Sequence, residues 1–185
     1  MFVIKKILFL VITFFFIQTN YSQEDNQKWF ASLDVGVQMS GIKNEDFIKS
    51  NYSPLIKLSI GKWFNKSLGV QFGYQGRHFN TIENSDRRFY NFYFVEGIFD
   101  AKNILRISNT NKRVYELLFH IGFGYFQNQY YNNSTIHGVL GVSNNFVLTN
   151  NIKLKFDIGA IVGWDIYQGN DDILPNVSLG TIYTF

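Results

Sequence analysis

Apolar and polar residues alternate with a period of two along most of this chain, in segments separated by polar, Asn-rich breaks. That period places successive side chains on opposite faces of a β-strand, so each segment predicts a strand with one apolar and one polar face. From Trp29 to Met39, residues Trp29, Ala31, Leu33, Val35, Val37 and Met39 oppose Ser32, Asp34, Gly36 and Gln38. From Pro54 to Phe64, Ile56, Leu58 and Ile60 oppose Lys57, Ser59 and Gly61; from Leu68 to His78, Leu68, Val70, Phe72 and Tyr74 oppose Gly69, Gln71, Gly73, Gln75 and Arg77. Further on, Arg113–Phe126 sets Leu117, Phe119, Ile121, Phe123 and Tyr125 against Glu116, His120, Gly122 and Gly124, and His137–Leu148 sets Leu140 and Val142 against Gly141, Ser143 and Asn145. Ile152–Asp165 is the most regular, with Lys153, Lys155, Asp157, Gly159, Gly163 and Asp165 on its polar face. The last segment, Asn176–Phe185, sets Val177, Leu179, Tyr183 and Phe185 against Ser178, Gly180 and Thr184.

A fourth segment, beginning near Arg88, breaks the rule. Phe92 and Phe94 share a parity with Glu96 and Asp100, so aromatics and carboxylates would lie on one face. A β-bulge near Phe94 would shift the register by one residue and separate them. Aromatics packed on the polar side would also account for it, and both readings stay open on the sequence.

The first residues follow a different pattern. Lys5 and Lys6 precede an apolar run, Ile7 to Ile17, and the polar stretch Gln18 to Gln23. This order is that of a secretory signal peptide, with cleavage expected after Ser22, which leaves residues 1–22 as leader and 23–185 as one domain. The run of eleven is short of the about 20 residues a spanning helix requires.

Charge decides which face is inside. On the lipid face of a membrane barrel, Lys or Arg near the midplane costs about 2–4 kcal/mol. Turning the polar faces inward avoids that cost and lets opposite charges pair. The expected fold is therefore an all-β, eight-stranded antiparallel up-and-down transmembrane barrel. Asp34, Lys57, Arg77, Glu116, His120, Lys153, Lys155, Asp157 and Asp165 would form its polar interior. Glycines on the same face suit a lumen narrow enough to be filled by side chains. Such a core reads as a closed plug, because buried charges are tolerable only when paired or hydrogen-bonded.

The breaks between segments alternate long and short, the long ones being about Gly41–Ser53, Asn80–Arg87, Gln127–Ser134 and Ile166–Leu174. Bacterial outer-membrane barrels pair long extracellular loops with short periplasmic turns, so both termini are expected in the periplasm. Aromatics then fall into two belts: Trp29, Phe30, Trp63, Phe64, Tyr183 and Phe185 near one end, Phe79, Phe89, Tyr90, Tyr125, Phe126 and Trp164 near the other. Composition agrees, with 20 Phe, 11 Tyr and only 2 Pro among 185 residues. The absence of cysteine excludes a disulfide scaffold, a thiolate metal site and a lipid-modified cysteine. Without Lys5 and Lys6, 15 basic residues face 14 acidic ones, which gives no basic surface for nucleic acid.

The chain ends Ser178-Leu179-Gly180-Thr181-Ile182-Tyr183-Thr184-Phe185. Ser178, Gly180, Tyr183 and Phe185 fill the places of the carboxy-terminal assembly signal of outer-membrane barrels, which this strand resembles. The mature chain as a whole resembles the OmpA-like and OmpX-like eight-stranded barrels and the broad outer membrane beta-barrel protein family, and Phe99–Leu105 with Arg113 and Gly122–Tyr125 resembles its middle region. The resemblance implies a Gram-negative outer membrane, contact with its lipid and lipopolysaccharide, and insertion by the barrel-assembly machinery. It also implies a structural role, or one in which extracellular loops hold a ligand or partner protein. The chain ends at the barrel, so a periplasmic peptidoglycan-binding domain is not carried over.

Two alternatives compete with a non-enzymatic barrel. Some small outer-membrane barrels modify lipid A, the deacylase type with a His two residues before a Ser. His137 and Ser143 are six apart, about 20 Å along a strand at about 3.3 Å per residue, too far to act together. Ser85-Asp86 near His78 only weakly echoes the palmitoyltransferase type. The second alternative is a soluble lipocalin-like barrel holding an apolar ligand, which needs the reverse polarity, apolar inside and charged outside. His78, His120 and His137 are too dispersed for a metal site; His78 and His137 are expected at outer strand ends, and His120 inside. No catalytic, cofactor or metal residues are assigned. Exported from its host, the mature chain should begin at Gln23; intact-mass measurement of the purified protein checks the cleavage, and a mass retaining residues 1–22 refutes it.

Overall fold

The structure is a computed structural model; it describes residues 28–40, 52–80, 87–104, 115–129, 133–164, 166 and 171–185. The expected leader lies outside the described residues. Eight strands run in chain order: β1 (Trp29–Met39), β2 (Tyr52–Trp63), β3 (Leu68–Asn80), β4 (Arg87–Asp100), β5 (Tyr115–Asn128), β6 (Asn133–Val147), β7 (Ile152–Trp164) and β8 (Asp171–Thr184). A single turn of helix, α1 (Ala101–Ile104), follows β4. Each strand pairs antiparallel with its sequence neighbours, and β8 pairs with β1 to close the barrel. Closure removes every sheet edge that would otherwise present unpaired backbone groups.

The register is staggered. Partners followed from Phe30 through Gly61, Gln71, Glu96, Gly122, Val139 and Ile161 reach Leu174. Leu174 lies two residues beyond the Asn176 that faces Gln38, so the circuit re-enters β1 at the level of Ser40. Strands in such a barrel tilt, and an eight-stranded barrel has room inside for side chains and little else. Glycine makes that room locally. A methyl group at Gly61 would strike the Phe30 ring, at Gly73 the Phe94 ring, at Gly141 the His120 ring and at Gly180 the Asp34 carboxylate. Each of these glycines lies beside one large inward side chain, the small–large pairing that fills a narrow lumen.

Polarity is arranged as the charges demanded. Leu33, Val35, Ile56, Leu58, Phe72, Phe119, Ile121, Phe123, Leu140, Ile158 and Leu179 are exposed on the outer face. They sit side by side, as in Leu33↔Leu58, Val35↔Leu179 and Ile121↔Leu140, and make a belt of apolar surface. Asp34, Lys57, Glu96, His120, Lys155 and Asp157 are buried within. This is the reverse of a lipocalin-type barrel.

The fourth strand resolves in favour of inward aromatics. From Tyr90 to Asp100, β4 pairs without interruption with β5, and from Arg87 to Phe99 with β3, so no bulge intervenes. Tyr90, Phe92 and Phe94 are buried beside Glu96, Ile98 and Asp100. Both expected belts therefore lose members to the interior. Phe30 at one end, and Phe79, Tyr90 and Phe126 at the other, are buried core residues. Trp29, Phe64, Tyr183 and Phe185 remain exposed at the end bearing the chain termini, and Phe89 and Tyr125 at the opposite rim.

Connection lengths differ from the expected alternation. Residues 101–114 separate β4 from β5, a longer connection than Ser108–Lys112, whereas only residues 129–132 separate β5 from β6. Strands at the rim away from the termini extend into segments whose Asn, Asp and Ser content reads as loop, because pairing with an adjacent strand outweighs weak local propensity. At the opposite end, where the long 101–114 connection also lies, the β2–β3 and β6–β7 turns are tight. Asn65 Oδ1 accepts hydrogen bonds from the backbone N–H groups of Ser67 (2.8 Å) and Leu68 (2.9 Å), and Thr149 Oγ1 accepts those of Asn151 (3.3 Å) and Ile152 (3.0 Å).

The outer face predicts a depth-dependent response to charge. Ile121→Arg, in mid-strand, should lower stability by about 2–4 kcal/mol in a phospholipid bilayer, and Tyr115→Arg, at the strand end, by about 0–1 kcal/mol. Urea unfolding of the barrel from lipid vesicles measures both, and equal costs would contradict the depth assignment.

Candidate functional site

The interior has three layers, polar in the middle and apolar at each end. The middle layer is built around His120 on β5. Its Nδ1 lies 2.9 Å from Glu96 Oε1 on β4, and its Nε2 lies 3.1 Å from Asp157 Oδ2 on β7. A carboxylate at each ring nitrogen suits the imidazolium, which carries a proton on both. Lys155 Nζ lies 3.3 Å from Asp157 Oδ2 and 3.2 Å from Asp34 Oδ2, and Lys57 Nζ lies 4.0 Å from Asp157 Oδ1. Three carboxylates thus meet two ammonium groups and one imidazole inside a closed wall.

Neutral side chains extend this network around the barrel. Ser32 hydrogen-bonds to Asp34 (3.2 Å) and shares a hydrogen bond with Ser59 (2.7 Å), and Ser59 donates to Gln71 (3.3 Å). Gln71 in turn donates to Glu96, and Ser143 Oγ donates to Asp157 Oδ2 (2.7 Å). Toward the terminal end, Glu116 and Lys153 form a half-buried pair at 2.6 Å.

Apolar side chains close both ends. At the rim away from the termini, Phe79, Tyr90, Phe92, Phe94, Phe126, Val139, Ile161, Ile166 and Leu174 form one cluster. Within it, Tyr90 and Phe126 stack with centroids 4.9 Å apart. Tyr90 is anchored by its hydroxyl, which donates to Gln38 Oε1 at 2.5 Å. Lys57 Nζ lies 5.1 Å from the centre of the Phe94 ring, a cation–π contact that ties this plug to the charged layer. Toward the termini, Phe30, Ile98, Leu118 and Ile182 form the second plug, with Trp63 against it. A small cavity between this plug and the charged layer is lined by Ser32, Glu116, His120, Asn145 and Lys153 among others.

Of the residues expected inside, Asp34, Lys57, Glu116, His120, Lys153, Lys155 and Asp157 join this core. Asp165 lies outside the described residues. Arg77 is the exception: it is exposed, with φ of 149°, and so points outward where regular alternation would send it in. Its strand partners are Leu55 and Tyr90, both buried, and Tyr90 belongs to the aromatic plug. A guanidinium among those rings would lose its hydration without a counter-charge, a cost larger than the about 1–3 kcal/mol of a strained backbone. His137, expected at an outer strand end, is buried against Phe126 with centroids 4.9 Å apart.

Glu96 is the residue that sequence reading left unassigned. Its signal was present: it shares a parity with Asp100, and that face becomes consistent once Phe92 and Phe94 are allowed inside. Ser143 and His120 both meet Asp157, the serine as a donor to Oδ2 and the imidazole through Nε2. Among the described residues, no group of His, Asp and Glu is arranged to hold a metal ion.

The carboxy-terminal strand closes the ring. Ser178 and Gly180 face inward; Tyr183 and Phe185 face outward and stack at 6.2 Å. The Phe185 N–H donates to the Trp29 carbonyl (2.9 Å) and the Thr184 N–H to the Asn151 carbonyl (2.8 Å). A closed eight-stranded barrel, apolar outside and ion-paired inside, is then complete.

The fold is that of the small transmembrane β-barrels. The amino-terminal barrel domain of OprF from Pseudomonas aeruginosa is similar over 86% of this chain and 99% of its own, with a TM-score of 0.56 at 11% identity. Neisserial surface protein A is similar over 85% of this chain and 97% of its own, with a TM-score of 0.61 at 12% identity. Ail, the attachment invasion locus protein of Yersinia pestis, matches over 86% and 99%, with a TM-score of 0.53 at 15% identity. Sequence comparison matches the chain to no family model and to no curated protein.

The interior predicts unequal costs for removing charges. Asp157→Ala would leave Lys57, Lys155 and His120 short of a counter-ion and should cost about 3–5 kcal/mol. Lys153→Ala breaks a single, partly buried pair with Glu116 (side chains 18% and 14% exposed) and should cost less, about 1–3 kcal/mol. Equilibrium unfolding in urea compares the two, and equal losses would refute the assignment of the buried layer as the stabilising one.

Proposed function

We propose that this chain is an integral outer-membrane protein of a Gram-negative bacterium, a non-enzymatic barrel with a sealed polar core and both termini in the periplasm. The observation that carries this reading is the inverted polarity: an exposed apolar belt surrounds a charged interior neutralised by its own residues. Such a surface is stable against lipid and unfavourable in water. The two apolar plugs support a closed state, since an ion crossing the lumen would have to displace both packed aromatics and paired charges.

Its activity then resides on the outside. Lipid and lipopolysaccharide contact the wall, the barrel-assembly machinery handles the terminal strand during insertion, and the connections at the rim away from the termini meet a ligand or partner protein. Residues 130–132, within the long connection expected at Gln127–Ser134, lie outside the described residues. Ail has been solved in complex with the heparin analogue sucrose octasulfate, which supports ligand binding as a use of a barrel with this fold. The alternative of a lipid A-modifying enzyme finds no favouring geometry around Ser143 or His137.

The protein should fractionate with outer membranes and migrate faster on a gel before heating than after it. Recovery in the soluble periplasm would overturn the membrane assignment. Purified barrels in planar bilayers should give no large, stable conductance, and lipid A mass spectra should be unchanged when the gene is deleted. A stable pore refutes the sealed core, and an altered lipid A profile refutes the non-enzymatic reading.

A further inference from the structure

Arg77 has the one positive φ among the described non-glycine residues, and it turns a cation onto the barrel's outer surface. An unstrained residue with an inward apolar side chain would fit β3 at this point, so the chain bears a backbone cost to keep a guanidinium there. The surroundings show what level of the membrane it occupies. Along β3 and β4 the partners run from Phe72↔Val95 in the apolar belt to Tyr74↔Tyr93, then Gly76↔Asn91 and His78↔Phe89, with Arg87 exposed at the start of β4. The Tyr74 hydroxyl donates to Asn91 Oδ1 (2.9 Å), and the two tyrosine rings lie 5.4 Å apart. This passage from aliphatic to tyrosine and amide to cation is the order of chemistry across a bilayer interface, from acyl chains to headgroups.

Arg77 and Arg87 are both exposed, and both lie within Coulombic range of His78, which packs on Phe89 with ring centroids 5.7 Å apart. Neither guanidinium forms an ion pair with a described residue. The register sets Arg87 three residue levels from Arg77, about 10 Å along the strands at about 3.3 Å per residue, so two extended guanidinium side chains can reach one anion between them. Guanidinium groups favour phosphate, which they hold through paired, charge-assisted hydrogen bonds.

We propose that Arg77 and Arg87, with the exposed rings of Phe89 and Tyr93, form a docking site for the phosphorylated headgroup of a lipid in the leaflet at this rim. The headgroup phosphate bridges the two guanidiniums, and the acyl chains run down over Phe89, Tyr93 and Phe72. This rests on the membrane reading above. It adds a specific lipid contact, of the phosphorylated glycolipid type, at one place on the wall.

The test uses the mature full-length barrel in phosphatidylcholine nanodiscs containing either diphosphorylated lipid A or the same lipid A with its phosphates removed. Native mass spectrometry counts the lipid A molecules retained per barrel after release into detergent. Retention of the phosphorylated form should exceed that of the dephosphorylated form by about tenfold, as expected for a doubly charge-assisted contact. Arg77→Gly combined with Arg87→Gln should abolish that preference; glycine suits the backbone at position 77, and Arg87→Gln alone, at an exposed site, should reduce it. Lys62→Gln, at the opposite rim, should leave it unchanged. Equal retention of the two lipids, or a preference that survives the double substitution, overturns the site. Displacement of lipid A by millimolar inorganic phosphate alone also overturns it, as the mark of a free-phosphate site. A barrel that fails to enter nanodiscs refutes the membrane reading itself, and heat-modifiable migration of each variant separates that failure from loss of the lipid contact.

Discussion

The need to neutralise charge inside a wall too narrow for bulk water governs this structure. Asp34, Glu96 and Asp157 are buried together, and each would be costly alone. Lys57 and His120 meet them from two other strands and Lys155 from β7 itself, so the charged layer stitches β1, β2, β4, β5 and β7 across the lumen. Backbone pairing holds neighbouring strands together, but the contacts of His120 and Lys57 with Asp157 and of Lys155 with Asp34 link strands that are not neighbours. They select one register, because a slip of one residue would turn every inward charge out to the apolar belt.

The apolar plugs follow from the same requirement. Ion pairs weaken where water screens them, and Tyr90, Phe92, Phe94 and Phe126 cover the charged layer on one side as Phe30, Leu118 and Ile182 do on the other. Large rings fit in so small a lumen because glycines face them, as Gly73 faces Phe94 and Gly61 faces Phe30. Arg77 marks the limit of this scheme. Where the wall passes the aromatic plug, Arg77 is exposed and its backbone leaves the regular strand conformation, whereas Arg88 is buried beside Phe79.

A barrel of this kind leaves its outer surface as the place where function differs from one protein to another. OprF, neisserial surface protein A and Ail share the architecture at 11–15% identity, so fold alone says little about the partners of this chain. The informative features are departures from a uniform wall: the two exposed arginines at one rim, and the residues that connect the strands there.

The alternation of apolar and polar residues determined the strands, the closed up-and-down topology and the inward course of Asp34, Lys57, His120, Lys155 and Asp157, because a period of two ties each side chain to one face of a strand. It also marked Ser178, Gly180, Tyr183 and Phe185 as the closing strand. Only the tertiary structure decided the face of β4, since Phe92 and Phe94 are apolar enough for lipid and become inward residues only when Gly73 and Gly124 across the sheet leave them space. It alone brought Glu96 to His120 and joined Lys155 to Asp34, residues far apart in the chain and on different strands. Arg77 shows the same division in reverse: parity sends it inward, and the rings of neighbouring strands, which no local pattern records, turn it out.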